Sequence, residues 1–271
     1  MALRWVREPA CDEGCGVIPA EIQALVERGA LFVINHSGGK DSQAMYLHLR
    51  DQVPRDQLVL VHADLGEVEW PGAQEHIRAT TRGEPLHVCR SRRGLLQMIE
   101  ERGMFPSPTL RQCTSDLKRG PIERTVRGIV RDRALREVYA AKLIVNCMGM
   151  RAQESSSRAK LTPLKLSVKN SIAGREWYDW LPVHDWLIGQ VFATIAAAGQ
   201  TPHPVYAAGM SRFSCCFCIM ASRADLTTAA RLNPVLYRRY VELERSTGQV
   251  MLMPSKTHGR QTLEQVTGIA A

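Results

Sequence analysis

The chain has 271 residues, a formal net charge of +8, 45% hydrophobic and 23% charged residues, and eight cysteines. That length suits one large domain or one domain with a small appendage, and no run of about eighteen apolar residues is present to form a membrane-spanning helix. MALRWVREPACDEGCG lacks the apolar core of a signal peptide, so a cytoplasmic location is expected and a disulfide scaffold is not. The basic balance, with arginines at Arg90, Arg92, Arg93 and from Arg111 to Arg136, suits nucleotides, sulfate-bearing molecules or nucleic acid, or else a solvated basic face.

In chain order, residues 1–30 read as a lead-in with a short helix, PAEIQALVERG, stopped by Gly29. LFVIN (31–35) is short and apolar, fit for a buried strand. A helix over 40–51 follows, then a strand at LVLVHA (58–63), a helix over 72–83, a strand at PLHVC (85–89) and a helix over 94–103 between glycines. Residues 115–133 read as mostly helical with Pro121 in a first turn, and KLIVNCMG (142–149) as a fourth strand. This alternation predicts a doubly wound, mostly parallel α/β sheet with right-handed crossovers. Beyond residue 150 the pattern changes: a polar stretch, an extended aromatic WYDWLPV, a helix over 185–199, a cysteine-rich SRFSCCFCIM, and two helices over 223–247 broken at Asn233–Pro234. The expected division is a lead-in (1–30), a nucleotide-binding core (31–160) and a helical, cysteine-containing region (161–271), with the tail after Pro254 weakly patterned and partly mobile.

The stretch INHSGGKDSQAM (34–45) joins the first strand to the first core helix. Gly38 and Gly39 permit positive φ and close approach of backbone to a phosphate. Successive amides at a helix start form an anion nest, Lys40 adds a point charge, and Ser37 and Ser42 offer hydroxyls. A Walker loop requires G-x-x-x-x-G-K-[ST], and the first glycine is missing. Ser37-Gly38-Gly39-Lys40-Asp41-Ser42 instead resembles the PP-loop of the N-type ATP pyrophosphatases, S-G-G-x-D-S. The resemblance implies an adenine nucleotide alpha hydrolase-like fold, and cleavage of Mg²⁺-bound ATP to AMP and pyrophosphate while an acceptor is adenylated.

Three further segments are similar to phosphoadenylyl-sulfate (PAPS) reductases. VHADLGEVEW (61–70) places Asp64 at a strand end, for ribose or Mg²⁺, or simply as part of a turn with Gly66. RQCTSDLKRGPI (111–122) places Lys118 and Arg119 at a helix start, facing a phosphate or sulfate. GMRAQES (149–155) resembles G-x-R-x-x-E-S, with Gly149 beside the nucleotide and Arg151, Glu154 and Ser155 toward the acceptor. The resemblance makes Lys40, Asp41, Asp64 and Arg151 the catalytic set. Two departures stand out: no cysteine follows Cys218 to supply the reductases' C-terminal nucleophile, and the loop keeps a lysine that those enzymes lack. The chain therefore looks closer to the phage-type and DndC-type branch, which implies sulfur transfer or thio-modification.

Cys215, Cys216 and Cys218 lie within four residues, and with Cys113 they form a set suited to a [4Fe–4S] cluster. Zinc or inert buried thiols are the alternatives, Cys147 is a reserve ligand, Cys89 reads as core, and Cys11 and Cys15 form an isolated C-x₃-C pair. Trp177, Trp180 and Trp186 either stack a base or fill a core, and His203 and Tyr206 either resemble the H-P-x-Y-x-x-G run before the cysteines in phage-type relatives or form a rigid turn into the cysteine segment. His36, His48, His62 and His87 show no ligand spacing. The implied partners are a nucleotide substrate, a DNA or RNA acceptor or a small metabolite, and a sulfur-donor protein such as a cysteine desulfurase. Two rival readings stay open: a sulfonucleotide reductase with a thiol from elsewhere, and a non-catalytic nucleotide or nucleic-acid binding module.

Overall fold

The computed structural model describes residues 18–135, 142–254 and 257–271. Cys11 and Cys15 lie outside the described residues. The elements in order are α1 (Ala20–Glu27), β1 (Leu31–Asn35), α2 (Lys40–Leu49), β2 (Leu58–Asp64), α3 (Ala73–Thr80), β3 (Leu86–Arg90), α4 (Leu95–Arg102), α5 (Gln112–Thr114), α6 (Gly120–Leu135) and β4 (Leu143–Met148). They continue with α7 (Ser156–Ala159), β5 (Leu164–Leu166), β6 (Glu176–Trp180), α8 (Ile188–Ala197), α9 (Arg223–Leu232), α10 (Pro234–Thr247) and α11 (Leu263–Thr267).

The six strands form one sheet in the order β3-β2-β1-β4-β6-β5. All pairings are parallel except β5 with β6. The sheet thus runs past residue 160, and the α/β core takes in the aromatic strand β6. Period-two alternation sorts β1 between two layers. Phe32 and Ile34 pack with α1, α2 and α8 on one face, while Leu31 and Val33 pack with Val126 and Val130 of α6 on the other. Trp177 and Trp180 of β6 are buried in the same layers, as core rather than as an exposed stacking surface.

Chain order reverses at β1: β2 and β3 lie to one side and β4 to the other. In such sheets ligands are held outside the strands' C-terminal ends near this switch point. The connections that leave β1, β2 and β4 there carry the loop at residues 36–39, Asp64 and Arg151.

The helix expected over 115–133 begins with α5 and passes through a π-helical turn at Ser115–Arg119 before α6. Pro121 gives a physical reason: it has no N–H to donate, and its ring displaces the preceding carbonyls. A third hydrophobic cluster joins α4, α9, α10 and α11 to the cysteine segment. The tail corrects an expectation of weak patterning. Thr262 caps α11, Leu263 and Val266 enter the core, and the Tyr237 hydroxyl donates to the Ile269 carbonyl at 2.5 Å.

Candidate functional site

The loop starts from a buried strand and ends in a helix whose whole first turn is half-buried or buried. Gly38 has φ +85°, a left-handed value that favours glycine. Its amide donates to His36 Nδ1 at 3.1 Å. Ser42 Oγ donates to the Gly39 carbonyl at 2.9 Å and accepts from the Ser37 amide at 3.2 Å. The loop is therefore braced from below by His36 and Ser42.

From above it is covered. The Lys40 amide donates to the Tyr206 hydroxyl at 3.0 Å, and the Lys40 ammonium lies 5.0 Å from the centre of the Tyr206 ring. A methyl group added at Gly39 would fall 2.7 Å from Phe213 Cβ, and one at Gly38 would fall 3.2 Å from Phe213 Cζ. The sequence leads one to expect open amides. Instead the segment around Tyr206 and Phe213 satisfies or shields them, because a buried N–H without a partner is costly.

Lys40 is buried, and its ammonium pairs with Asp41 Oδ2 at 3.1 Å. Asp41 Oδ1 is 2.6 Å from Arg151 Nε, and Arg151 Nη1 donates to the Gln153 side chain at 2.7 Å and the Trp186 carbonyl at 3.3 Å. Arg151, expected to face an acceptor, is buried and committed to tying β4 to α2 across the switch point. Gly149 has a packing role against the loop's own helix. A methyl group there would come 3.0 Å from the backbone of Asp41 and Ser42. Glu154 pairs with Arg158 and Arg212, and Ser155 caps α7 by accepting from the Arg158 amide. Both act locally.

Between the C-terminal ends of β1 and β2 lies a cavity of about 150 Å³, walled in part by Asn35, His36, Ser37, Glu69, Lys118 and Phe213. It is smaller than the roughly 300 Å³ at which drug-sized pockets begin, and Phe213 forms part of its wall. Lys118 lines this wall, whereas Arg119 is exposed and does not line it. A larger hollow of about 340 Å³ beside Arg50, Arg55 and Arg82 lies at the opposite end of the sheet. There strands begin and helices end, the wrong polarity for an anion held by helix dipoles.

Asp64 does not line the cavity. Its carboxylate accepts from the Gly66 amide at 2.7 Å and pairs with Arg90 at 2.5 Å, the turn reading of that segment. Glu69 is the carboxylate at the cavity wall, 3.2 Å from His62 Nε2. The other His62 nitrogen faces the His36 carbonyl at 2.9 Å. Burial lowers the His62 pKa, but the Glu69 hydrogen bond and charge and the His36 carbonyl outweigh it and raise the pKa. Acceptors at both nitrogens favour the protonated form of His62. His36, fully enclosed, is pushed down to about 3 by burial and then by His62 and His76, so it stays neutral with its proton on Nε2.

The expected four-thiolate set is not assembled. Cys113, Cys215 and Cys218 are near one another and near Lys118, but Cys216 packs toward Glu69, its amide donating to the Val68 carbonyl at 2.9 Å. Cys147 is sealed in the sheet core. Among the described residues no group of three or more His, Cys, Asp or Glu side chains is placed to hold a metal ion. The residues present are not arranged to hold a four-cysteine cluster, since Cys216 lies toward Glu69 rather than in the Cys215–Cys218 contact. Cys215 and Cys218 are in hydrogen-bonding contact. Cys218 is lowered to about 5, first by Cys215, then by the Met220 amide and Lys118 against the opposing effect of burial.

Sequence reasoning missed His36, His62, Glu69, Tyr206 and Phe213 as parts of this site. Their spacing has no ligand period, and their proximity arises only when four connections meet. No helix among the described residues is long and apolar enough to cross a membrane.

A 25% identical stretch of 215 residues, 78% of this chain and 47% of the relative, is shared with an uncharacterized protein of Methanocaldococcus jannaschii. A 32% identical stretch of 150 residues, 55% of this chain and 42% of the relative, is shared with an uncharacterized 37.8 kDa protein of Escherichia phage 186. The chain thus matches less than half the length of either relative. Among solved structures, a Candida auris PAPS reductase in complex with phosphate overlaps with TM-score 0.45 and 13% identity, covering 74% of this chain and 98% of that one. A Candida glabrata FMN adenylyltransferase overlaps with TM-score 0.43 and 14% identity, covering 69% and 53%. Overlaps this loose carry no chemistry. The sequence model of the phosphoadenosine phosphosulfate reductase domain matches residues 32–221, from the first strand through the cysteine segment. By that match over most of its length, the chain belongs to the phosphoadenosine phosphosulfate reductase domain family.

Proposed function

We propose that the chain is a PP-loop ATP pyrophosphatase that adenylates an acceptor, releasing pyrophosphate, in the service of sulfur transfer to a nucleic acid or metabolite. One observation carries the reading: the Ser37–Ser42 loop turns at a left-handed Gly38 between β1 and α2, with Lys40 in the helix's first turn and a base-sized cavity alongside. The amides from Gly38 to Asp41 and the Lys40 ammonium would hold the β and γ phosphates. Negative charge that builds on the departing pyrophosphate would meet these donors once their present partners give way. A phosphate oxygen would replace the Tyr206 hydroxyl on the Lys40 amide. Mg²⁺ would arrive with the nucleotide, and Glu69 and Asp64 are the carboxylates at that edge of the sheet. Lys118 would face the α-phosphate side. A nucleic-acid acceptor is consistent with the net charge of +8.

The test uses ATP labelled in the α-phosphate with Mg²⁺ and, in parallel, total tRNA or plasmid DNA. Labelled AMP and pyrophosphate are expected, with Lys40→Ala about 10²–10³-fold slower, the scale for losing one oxyanion-type donor. ADP and inorganic phosphate as products would overturn the reading. The family match favours a second reading, reduction of a sulfonucleotide by a thiol. Sulfite released from PAPS in the presence of a dithiol, with no AMP formed from ATP, would select it.

A further inference from the structure

A row of polar side chains runs along the sheet from the cavity wall. Asn35 continues the alternation of Leu31 and Val33, so its side chain leaves β1 on the α6 face of the sheet. On that face Val33, Asn146 of β4 and Asp179 of β6 stand side by side in register. Asn35 Nδ2 donates to Asn146 Oδ1 at 2.7 Å and to the Cys147 carbonyl at 2.7 Å. Asn146 Nδ2 donates at 2.7 Å to Asp179 Oδ1, which also accepts from Trp177 Nε1 at 3.3 Å. Asn35, Asn146 and Asp179 are all half-buried.

The chain of bonds has one direction. A carboxylate only accepts, so Asn146 turns its amino group to Asp179 and its oxygen to Asn35. Asn35 then uses both amino hydrogens, on Asn146 and on the Cys147 carbonyl, and its own oxygen is left over. No described residue donates to Asn35 Oδ1, and the atom is not enclosed. Asn35 lines the cavity of about 150 Å³, whose walls also include Val61, Ala63, Ile122 and Phe213. An apolar slot with a fixed acceptor at its edge suits a heteroaromatic ring that carries an N–H at that edge.

We propose that Asn35 is a specificity-determining residue of the nucleotide site, and that Asn146 and Asp179 are positioning residues that keep its amide oxygen turned to the base. The oxygen accepts from an exocyclic amine, as on a 6-aminopurine, and opposes a 6-keto group, oxygen to oxygen. Reversing the Asn35 amide to meet a keto group would set its oxygen against Asn146 Oδ1 and the Cys147 carbonyl and leave both acceptors unpaired. The inference rests on the nucleotide-binding part of the proposed function and not on which phosphate bond breaks.

The full chain with Mg²⁺ is titrated with ATP, with ITP, whose base carries a keto group in place of the amine, and with purine riboside triphosphate, which carries only hydrogen there. Calorimetry is expected to give affinities about tenfold weaker for both analogues than for ATP, the scale for one missing or mispaired hydrogen bond in a desolvated pocket. Asn35→Ala should bring the affinities for ATP and both analogues to within about twofold of one another, since no group is left to tell them apart. Asp179→Leu should narrow the preference from two side chains away, whereas Asp179→Asn, which keeps an oxygen for Asn146 and Trp177, should preserve it. A purely structural role would lower all the affinities together and leave their ratio untouched. If a variant fails to fold, the parent's affinities for ATP and the analogues decide. Equal affinities in the parent, or an ATP preference that survives Asn35→Ala, would overturn the inference, and a preference that survives Asp179→Leu would overturn the positioning role. Turnover separates this inference from the pyrophosphatase reading. AMP and IMP formed from ATP and ITP with equal kcat/KM would overturn the inference alone. ADP formation with ATP still preferred would overturn only the reading, and absence of nucleotide binding would overturn both.

Discussion

Arg151 shows how a single side chain changes meaning once its surroundings are known. Its guanidinium joins Asp41, Gln153 and the Trp186 carbonyl and is almost fully buried. Breaking one partner of a buried ion pair costs about 3–5 kcal/mol, because the other charge stays behind. Arg151→Met should therefore lower stability toward urea by about that amount, and Arg151→Lys should recover only part, since a point charge cannot fork to several partners. An Arg151→Met protein as stable as the parent would mean the pair is open to water. His36 makes a pH prediction. Folded His36 stays neutral down to about pH 3, while the unfolded imidazole takes up a proton below about 6.5. Between those values the unfolded chain binds the extra proton, so stability falls as pH falls, by at most about 1.4 kcal/mol per pH unit from this group. His76, lowered to about 4, acts with the same sign, and His62, raised, acts with the opposite one. Urea titrations across that window should show a shallower pH slope for His36→Gln than for the parent. Equal slopes would count against the burial of the ring.

At the scale of elements, the glycine at the end of β4 matters more than its motif implies. A Gly149→Ala methyl would press on the Asp41 and Ser42 backbone at 3.0 Å, and backbone cannot rotate aside. Overpacking of this kind costs about 1–3 kcal/mol, and it should also displace the first turn of α2. The expected signature is a lowered melting temperature with weakened MgATP binding, and an unchanged value of both would show that β4 can shift. Elements with a strong period were legible: β1, β2 and β4 as apolar runs, α2 by its apolar face, α4 between glycines, and the α9–α10 break at Pro234. The π-turn at Ser115–Arg119 was not, because its cause is a missing donor at Pro121 acting on carbonyls earlier in the chain. Helix α11 was not legible either. Its five residues gain stability from Tyr237 and Glu244 across the core, through bonds to Ile269 and Leu263, rather than from any local pattern.

Over the whole molecule, the segment from Pro204 to Ser214 lies across the loop that the opening strand and helix build. If nucleotide binding requires Phe213 to leave Gly38 and Gly39, the apparent affinity is reduced by the fraction of molecules in which it has left. Phe213→Ala should then bind MgATP several-fold more tightly in calorimetry. Weaker binding would assign Phe213 to the nucleotide's own contact surface.

By itself the sequence determined the alternation of strands and helices, and with it the parallel sheet and the position of the glycine–lysine loop at a strand-to-helix junction. These are consequences of local period and of glycine's freedom, which neighbouring residues carry between them. Only the tertiary structure decided that Arg151 locks Asp41, that Glu69 rather than Asp64 faces the cavity, and that Cys216 turns from Cys215 and Cys218. Those outcomes depend on which side chains meet at the sheet's edge, where connections from distant parts of the chain compete for the same few donors and acceptors.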